Sequence, residues 1–361
     1  MMKLTTFMFF LLALLVADGR LLATDFSIED DLPKAQETTR FPYTGSDTFE
    51  GKIPSPDQFF GVKLGDRFTP HHDVMAYCRE VARLSPRVSI ERYGHSVEGR
   101  ELVLLMISDQ KTISRLDQIE SDLGLLADPR ELSEREDLSL EELVAQLPAV
   151  VWLSYNVHGD ESSGTEAALA TIHQLADGSD PAIRRIRENC LVIVDPLLNP
   201  DGRERYLHWY QQNGAVPPNP DPAAREHSPS SPSGRSNHYL FDLNRDWAWQ
   251  SQPETRARIP QYLRWQPQVH VDFHEMSPQS TYFFFPPEEP INSNIPKDRV
   301  EWSRKFGLAN AKAFDRFTWR YYTAEQFDLF YPAYGDSWPT LNGAIGMTYE
   351  QAGGGSAGLV Y

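Results

Sequence analysis

The chain has 361 residues, of which 40% are hydrophobic and 24% are charged. This composition is that of a soluble globular protein, and the length suits one large α/β domain or two ordinary domains. The formal net charge of −17 argues against a nucleic-acid partner, because binding phosphates requires a basic face.

The N-terminus has the pattern of a secretory signal peptide. A short basic start precedes an almost wholly apolar run over residues 7–17, and small residues at Ala17 and Gly19 suit a signal peptidase. We predict a signal peptide over residues 1–19, with Ala23 as a second cleavage point and an uncleaved anchor as the alternative. The apolar run is too short for a comfortable membrane span. We therefore expect a secreted or periplasmic protein with no membrane attachment after signal removal.

Residues 24–60 are polar, contain proline and show no sustained period, so they predict an extended lead-in. A single domain is then predicted over residues 61–361, truncated at its C-terminus because the chain ends soon after its last strand. Helical spacing over 72–84 is followed by two strand-like segments around a turn, which predict a hairpin. The acidic stretch 113–146 predicts helices with a solvated face.

Apolar runs predict further strands at 148–154 and 191–196, and strands are also predicted at 269–274, which has polar residues at its C-terminal end, and at 344–350. Helical stretches such as 162–175 alternate with them, which predicts a mixed, largely parallel twisted sheet with helices on both faces. Residues 215–236 are rich in Pro, Ser and Asn and predict a long surface loop. The chain has two cysteines, Cys78 in a helical pattern and Cys190 at a strand start. They could pair in an oxidising compartment, but their positions favour two separate buried thiols.

Polar residues follow several of these strands, at the edge where a parallel sheet binds its ligands. His158 and Glu161 lie three residues apart after one strand, and zinc accepts imidazole nitrogen and carboxylate oxygen. A catalytic zinc takes three protein ligands, so a third ligand is expected downstream. His274 is the best candidate because it lies nearest the end of its strand, with Asp272 and Glu275 as supporting groups. Alternation leaves His270 open as a competitor.

Two further features point to substrate chemistry. Arg245 offers a planar fork that binds a carboxylate bidentately, and the neighbouring Asn244 amide adds a donor, with a surface salt bridge as the plain alternative. Glu350 ends the last predicted strand, just before a glycine run. A carboxylate in that place can take a proton from an activated water and return it to a leaving amine.

These motifs together resemble those of the carboxypeptidase A-like zinc metallopeptidases, in order and in rough spacing, over about residues 65–361. The resemblance rests on His158-x-x-Glu161, Asn199-Pro200-Asp201-Gly202, the stretch 242–247, His274 and Glu350, supported by residues 93–100 upstream.

The resemblance implies roles for individual residues. His158, Glu161 and His274 would hold one zinc ion per chain, and Asn244 with Arg245 would grip the C-terminal carboxylate of a peptide or protein substrate. Glu350 would be the general base. Tyr331 resembles the mobile tyrosine that closes over substrate, with Tyr334 as an alternative.

Two positions depart from the family pattern. The family has an arginine that polarises the scissile carbonyl, between its Asn-Pro-Asp-Gly and Asn-Arg motifs. Here that interval is enlarged, and Arg205 is favoured weakly over Arg235. Gly159-Asp160 replaces the more usual pair of a small residue and an arginine. The alternatives to a carboxypeptidase are an amidase or deacylase on the same fold, acting on cell-wall peptides or acylated amino acids, and a zinc-free binding module.

Overall fold

The structure, a computed structural model, describes residues 48–353 except 129, 131–138, 216–218, 220, 222, 230 and 278–279. The predicted signal peptide, most of the predicted lead-in and residues 354–361 lie outside the described residues. Within the described part, none of the helices combines the length and apolar character needed to cross a membrane.

Eleven α-helices occur in the described ranges. They are α1 Pro56–Phe60, α2 His71–Leu84, α3 Gln110–Ile113, α4 Leu116–Ala127, α5 Leu140–Gln146, α6 Ser163–Asp177, α7 Pro181–Asn189, α8 Pro200–Asn213, α9 Pro253–Trp265, α10 Lys297–Arg316 and α11 Ser337–Leu341. The helix expected at 72–84 and the one expected at 162–175 are both present. Short 3-10 turns occur at Arg225–His227 and Leu243–Arg245.

Eight strands form one mixed sheet in the order β1-β2-β4-β3-β5-β10-β6-β8, and β7 pairs with β9. The strands are β1 Val88–His95, β2 Glu101–Ile107, β3 Ala149–Tyr155, β4 Cys190–Asp195, β5 Val269–Met276, β6 Tyr282–Phe284, β7 Glu288–Ile291, β8 Tyr321–Tyr322, β9 Asp328–Leu329 and β10 Ile345–Ala352. β4, β3, β5 and β10 run parallel, whereas β1 and β2 form the predicted antiparallel hairpin. This confirms the predicted fold class.

The central strands are buried on both faces. On β3, Val151 and Leu153 belong to one core cluster, whereas Val150 and Trp152 belong to the cluster on the opposite face. Such strands are continuous apolar runs in sequence because helices cover both sides of the sheet. Cys78 and Cys190 are buried free thiols, as the sequence favoured.

The described end of the predicted lead-in packs onto the domain. Phe49 bridges to Gly178, and the Asp177 carboxylate accepts hydrogen bonds from the backbone N–H groups of residues 51, 52 and 53. Ser55 then caps α1. The single carboxylate at the end of α6 therefore fixes the path of the chain before the domain proper.

Parallel pairing brings the carboxyl ends of β3, β5 and β10 together. Ser154 pairs with Asp272, and His274 pairs with Glu350 on the other side of β5. Residues far apart in sequence are thereby placed at one edge of the sheet, where the predicted site lies.

Candidate active site

A tight turn after β3 presents two of the predicted metal ligands. Asn156 has a left-handed backbone, with φ of 61°, which asparagine tolerates better than most residues. Its side-chain amide donates to the carbonyl oxygens of His158 and Glu161, both at 2.8 Å. One buried amide therefore fixes the turn that carries both side chains.

The structure brings His158, Glu161 and His274 into one cluster. The Glu161 carboxylate lies 2.6 Å from His158 Nδ1 and 3.0 Å from His274 Nδ1, through its two different oxygens. The two Nδ1 atoms are 3.2 Å apart, and one ligand atom from each residue lies within 4.8 Å of the others. Two imidazole nitrogens and one carboxylate form a donor set that suits a catalytic zinc ion.

The outward-facing nitrogens of both histidines are held by carboxylates. Asp242 Oδ1 lies 3.0 Å from His158 Nε2, and Asp272 Oδ2 lies 2.8 Å from His274 Nε2. A carboxylate on the far nitrogen fixes the ring orientation and increases ligand basicity. The two carboxylates therefore hold both imidazole rings with Nδ1 toward the cluster, where a metal would bind. The sequence suggested support from Asp272 but not from Asp242, although Asp242 begins the motif stretch 242–247.

Glu275, the other predicted supporting group, acts differently. Its backbone N–H donates to Glu161 Oε2 at 3.2 Å, and its carboxylate accepts from the Ser163 backbone N–H at 2.7 Å. The contact with the ligand Glu161 therefore comes from its main chain.

Electrostatic interactions between the ligand side chains set the direction of their pKa shifts. Burial alone lowers the pKa of His158, but the Glu161 charge and the hydrogen bonds to Asp242 and Glu161 raise it overall. Burial opposes ionisation of Glu161, yet the two neighbouring imidazoles hold its pKa well below the usual range. Glu161 is therefore ionised although its side chain is only 12% exposed, and a carboxylate must be ionised to bind a metal.

His270 lies outside this cluster. Its ring packs against Trp247 and Tyr262, with centroid distances of 5.3 and 5.4 Å. Burial lowers its pKa to about 3, so it is neutral. His270 is four residues before His274, about 13 Å along the strand. That distance from the carboxyl edge explains why the competing ligand candidate does not reach the cluster.

Glu350 faces the same edge. It pairs with His274 across the parallel strands and is almost fully buried, at 7% exposure. Burial raises the pKa of its carboxyl to about 8, although the charges of His274 and His158 oppose the rise. The structure therefore places a protonatable group within the electrostatic reach of the cluster.

Asn244 and Arg245 border the cluster on the side of His274 Nε2. Asn244 Nδ2 lies 3.2 Å from that nitrogen, and its Oδ1 accepts from the Gly335 N–H at 2.7 Å. The Arg245 guanidinium stacks over the Tyr334 ring at 4.5 Å and is 42% exposed. Its Nη1 donates to the Asn244 carbonyl oxygen at 2.9 Å and lies 3.8 Å from Asp242 Oδ2, so Arg245 is held beside the cluster with part of its side chain exposed.

Tyr331 lies at the rim of this region. Its hydroxyl accepts a hydrogen bond from Trp249 Nε1 at 2.7 Å, and its ring lies 5.0 Å from that of Tyr334. Tyr334 therefore contacts both Arg245 and Tyr331. The two candidate tyrosines hold different places: Tyr334 supports the guanidinium, and Tyr331 is tied to the exposed Trp249 side chain.

The two candidate arginines occupy different places in the structure. Arg205 donates to the carbonyl oxygens of Ser233, Ser236 and Asn237, at 2.8 to 3.1 Å, and so braces the loop after α8. Arg235 Nη1 instead lies 3.7 Å from Glu161 Oε1, and its Nη2 donates to Asp242 Oδ2 at 3.0 Å. Arg235 therefore lies at the cluster and Arg205 lies away from it in hydrogen bonds to residues 233–237; which of the two polarises the scissile carbonyl stays a prediction, and this geometry favours the alternative, Arg235.

Close backbone packing explains the glycine that follows His158. A Cβ at Gly159 would lie 2.1 Å from the Arg203 backbone nitrogen, at the start of α8. Next to it, burial raises the pKa of Asp160, whose carboxylate is hydrogen-bonded to Ser233. Gly159 therefore lets the first ligand turn pack against the Asn-Pro-Asp-Gly segment, which sequence spacing alone did not reveal.

Comparisons with known proteins agree with this geometry. The sequence profile described as zinc carboxypeptidase matches residues 74–357. Carboxypeptidase D of Mus musculus is 25% identical over 261 residues, which cover 69% of this chain and 15% of that protein. For carboxypeptidase D of Homo sapiens the identity is 27% over 202 residues, covering 53% and 11%. The matched part of the chain thus spans only about a seventh to a ninth of the length of these relatives.

Solved structures show the same fold. Carboxypeptidase A from Helicoverpa armigera superposes with a TM-score of 0.53 at 18% identity, covering 85% of this chain and 67% of that one. A metallo-carboxypeptidase from Burkholderia cenocepacia gives a TM-score of 0.52 at 16% identity, covering 79% and 61%.

Proposed function

Because this chain belongs to the zinc carboxypeptidase family, we propose that it is a metallocarboxypeptidase, which removes the C-terminal residue of peptides or proteins. The observation that carries the proposal is the convergence of His158, Glu161 and His274 beside a partly exposed Arg245. A metal-ligand set next to an available guanidinium is what cleavage beside a free carboxylate requires.

His158, Glu161 and His274 would hold one zinc ion per chain. When bound there, zinc supplies a Lewis acid and lowers the pKa of water toward neutrality. Asp242 and Asp272 keep both imidazoles turned with Nδ1 toward the cluster. The ligand set is thus prepared by the fold before substrate arrives.

Glu350 is the proposed general base. Its carboxylate takes a proton from the attacking water and then donates that proton to the nitrogen of the leaving amine. A group that performs both steps works best with a pKa near the operating pH, and burial moves Glu350 in that direction.

Substrate orientation is assigned to Asn244 and Arg245. Arg245 offers a fork to the terminal carboxylate, and its stacking on Tyr334 limits the motion of that fork. Tyr331 would cover the bound residue after exchanging its bond with Trp249 for one with substrate. Arg235 would donate to the carbonyl oxygen of the scissile bond, where negative charge develops.

The test compares the wild type with Glu350→Gln for zinc content and for hydrolysis of a peptide with a free C-terminus. We expect about one zinc per chain in both proteins and hydrolysis only by the wild type. A matched peptide with an amidated C-terminus should be refused. Cleavage of the amidated peptide would indicate the amidase or deacylase alternative, and failure of the wild type to bind zinc would indicate a binding module.

We also propose a secreted or periplasmic location, supported by the signal pattern in residues 1–19. N-terminal sequencing of exported protein should find a start after residue 19 or residue 23. Retention of Met1 in the exported protein would contradict cleavage.

A further inference from the structure

Arg203, whose side chain is fully buried, contacts the turn that carries two of the candidate metal ligands. Its backbone nitrogen lies 2.1 Å from the place that a Cβ on Gly159 would take, so the start of α8 packs directly on this ligand turn, residues 156–163. Its Nη1 donates to the carbonyl oxygen of Ser162 at 2.7 Å, and Ser162 directly follows Glu161 in the chain. Arg203 therefore contacts the ligand turn on both sides of Glu161.

The other donors of the Arg203 guanidinium are also engaged. Nη2 lies 2.9 Å from each oxygen of the Glu166 carboxylate, in the first turn of α6. Nε and Nη2 donate to the Thr69 carbonyl oxygen at 3.0 and 2.9 Å, and the Thr69 N–H donates to Glu166 Oε1 at 2.6 Å. One guanidinium thus joins the segment before α2, the start of α6 and the end of the ligand turn.

Side chains outside the ligand turn hold both of its ends. At its start, Asn199 Nδ2 donates to the Val157 carbonyl oxygen at 3.1 Å. At its end, the Glu275 carboxylate accepts from the N–H of Ser163 at 2.7 Å, and Arg203 donates to the carbonyl oxygen just before it. Arg203 is therefore the contact through which α8 holds the part of the turn that follows the second metal ligand.

A buried ion pair is by itself weak evidence for stability, because the cost of desolvating two charges offsets their attraction. Arg203 differs from a simple ion pair in its additional bond to Ser162. Since Glu166 balances the charge of the guanidinium, Arg203 acts on the metal-ligand cluster through geometry more than through net charge. Geometry matters there because a metal site requires its ligands within about 0.5 Å of the productive arrangement.

We propose that Arg203 is a positioning residue for the metal site, which holds Glu161 in register with His274 by fixing the Ser162 carbonyl group. This inference rests on the proposed zinc site and adds to it a residue that does not touch the metal. The planar fork is essential to the role, because Ser162 and Thr69 are bound at different edges of the guanidinium. The single ammonium group of a lysine does not span both acceptors.

The test measures the zinc dissociation constant of the wild type and of Arg203→Lys by competition with a chelating dye. Lysine keeps the positive charge beside Glu166 but loses the fork, so we expect zinc to bind about 10- to 100-fold more weakly, the usual effect of losing a group that orients a ligand. The visible spectrum of bound Co²⁺, which reports ligand geometry, should change in the same variant.

Arg187→Lys is the matched control. Arg187 is also buried, and its Nη1 donates to the carbonyl oxygens of Leu175 and Gly178, at 2.9 and 2.8 Å, at the opposite end of α6. That end is about 20 Å along the helix from the ligand turn. The control should therefore lower the urea midpoint of the metal-free protein but keep the wild-type zinc affinity and Co²⁺ spectrum.

A double variant decides the matter if Arg203→Lys does not fold. Arg203→Met with Glu166→Leu replaces both members of the ion pair by apolar groups, so neither charge is left buried and unpaired. Its zinc affinity should fall by the same factor, about 10- to 100-fold. Wild-type zinc affinity in either folded Arg203 variant, or an equal loss in Arg187→Lys, overturns the positioning role. Failure of the wild type to bind zinc instead overturns the zinc site and the proposed function with it.

Discussion

We expect the two candidate arginines to have different roles, Arg235 in catalysis and Arg205 in stability. One substitution at each position tests this. Arg235→Ala removes a guanidinium nitrogen that lies 3.7 Å from the ligand oxygen of Glu161. If Arg235 stabilises the developing charge on the scissile carbonyl, its loss should lower kcat by about 10²- to 10³-fold, the usual effect of removing one such donor.

Arg205→Met should act on stability instead. Arg205 makes three hydrogen bonds to carbonyl oxygens of residues 233, 236 and 237, and methionine keeps the alkyl part while removing all three. Because Arg205 is only partly buried, each bond should contribute about 0.5–1.5 kcal/mol, the range of a typical hydrogen bond, so the unfolding free energy should fall by about 2–4 kcal/mol. Because Arg205 only braces the loop, we expect kcat to fall no more than about tenfold.

The assay is steady-state hydrolysis of a free-carboxylate peptide, together with urea denaturation and zinc content for each variant. Zinc content is essential, since Arg235 also bonds to Asp242, which holds His158. The reasoning is refuted if folded, zinc-loaded Arg205→Met loses 10²-fold in kcat while Arg235→Ala stays active.

Three further predictions concern the metal and the buried charges. Asp272→Asn should weaken zinc affinity about 10- to 100-fold, measured by competition with a chelating dye, because His274 loses its anionic partner. In the same assay His270→Leu should keep zinc affinity, since that ring packs on Trp247 outside the cluster; a comparable loss would restore His270 as a ligand. Removal of zinc by dialysis against a chelator should abolish hydrolysis, and added Zn²⁺ should restore it; full activity after verified removal would contradict the metal mechanism. Burial raises the pKa of Asp195 to about 7, so the folded protein binds a proton that the unfolded chain releases above about pH 4. Stability should therefore fall as pH rises from about 4 to 7, and Asp195→Asn should show a smaller fall in urea midpoint over that range than the wild type.

The sequence predicted the central strands well, because their signal is local. β3 and β4 are apolar runs bounded by turn residues, and β3, β4 and β10 each lie within one or two residues of the predicted range. The hairpin of β1 and β2 was equally visible from its alternation and turn. By contrast, the sequence analysis did not predict α9, α10 or the short strands β6 to β9. Of these, β8 and β9 have only two residues each, too few to show any period.

The site, like the fold, was predictable where its residues are close in sequence and not where they are far apart. His158 and Glu161 are neighbours in sequence, and the turn held by Asn156 keeps them so in space. His274 was preferred over His270 by position alone, and its approach to the pair depends on the parallel pairing of β3 and β5. The positions of Asp242 and Arg235 could not be deduced from spacing, because most of the proline- and serine-rich stretch 215–236 lies between them and α8.

The sequence by itself determined the central strands and the chemical types of the residues that follow them at the sheet edge. Both follow from interactions between residues a few positions apart, such as strand alternation, helix capping and the spacing of the first two ligands. Only the tertiary structure decided which arginine lies at the cluster and which carboxylates orient the histidines. Those features depend on the register of parallel strands and on the packing of a loop and a helix against them, and contacts across more than a hundred residues leave no period in the chain.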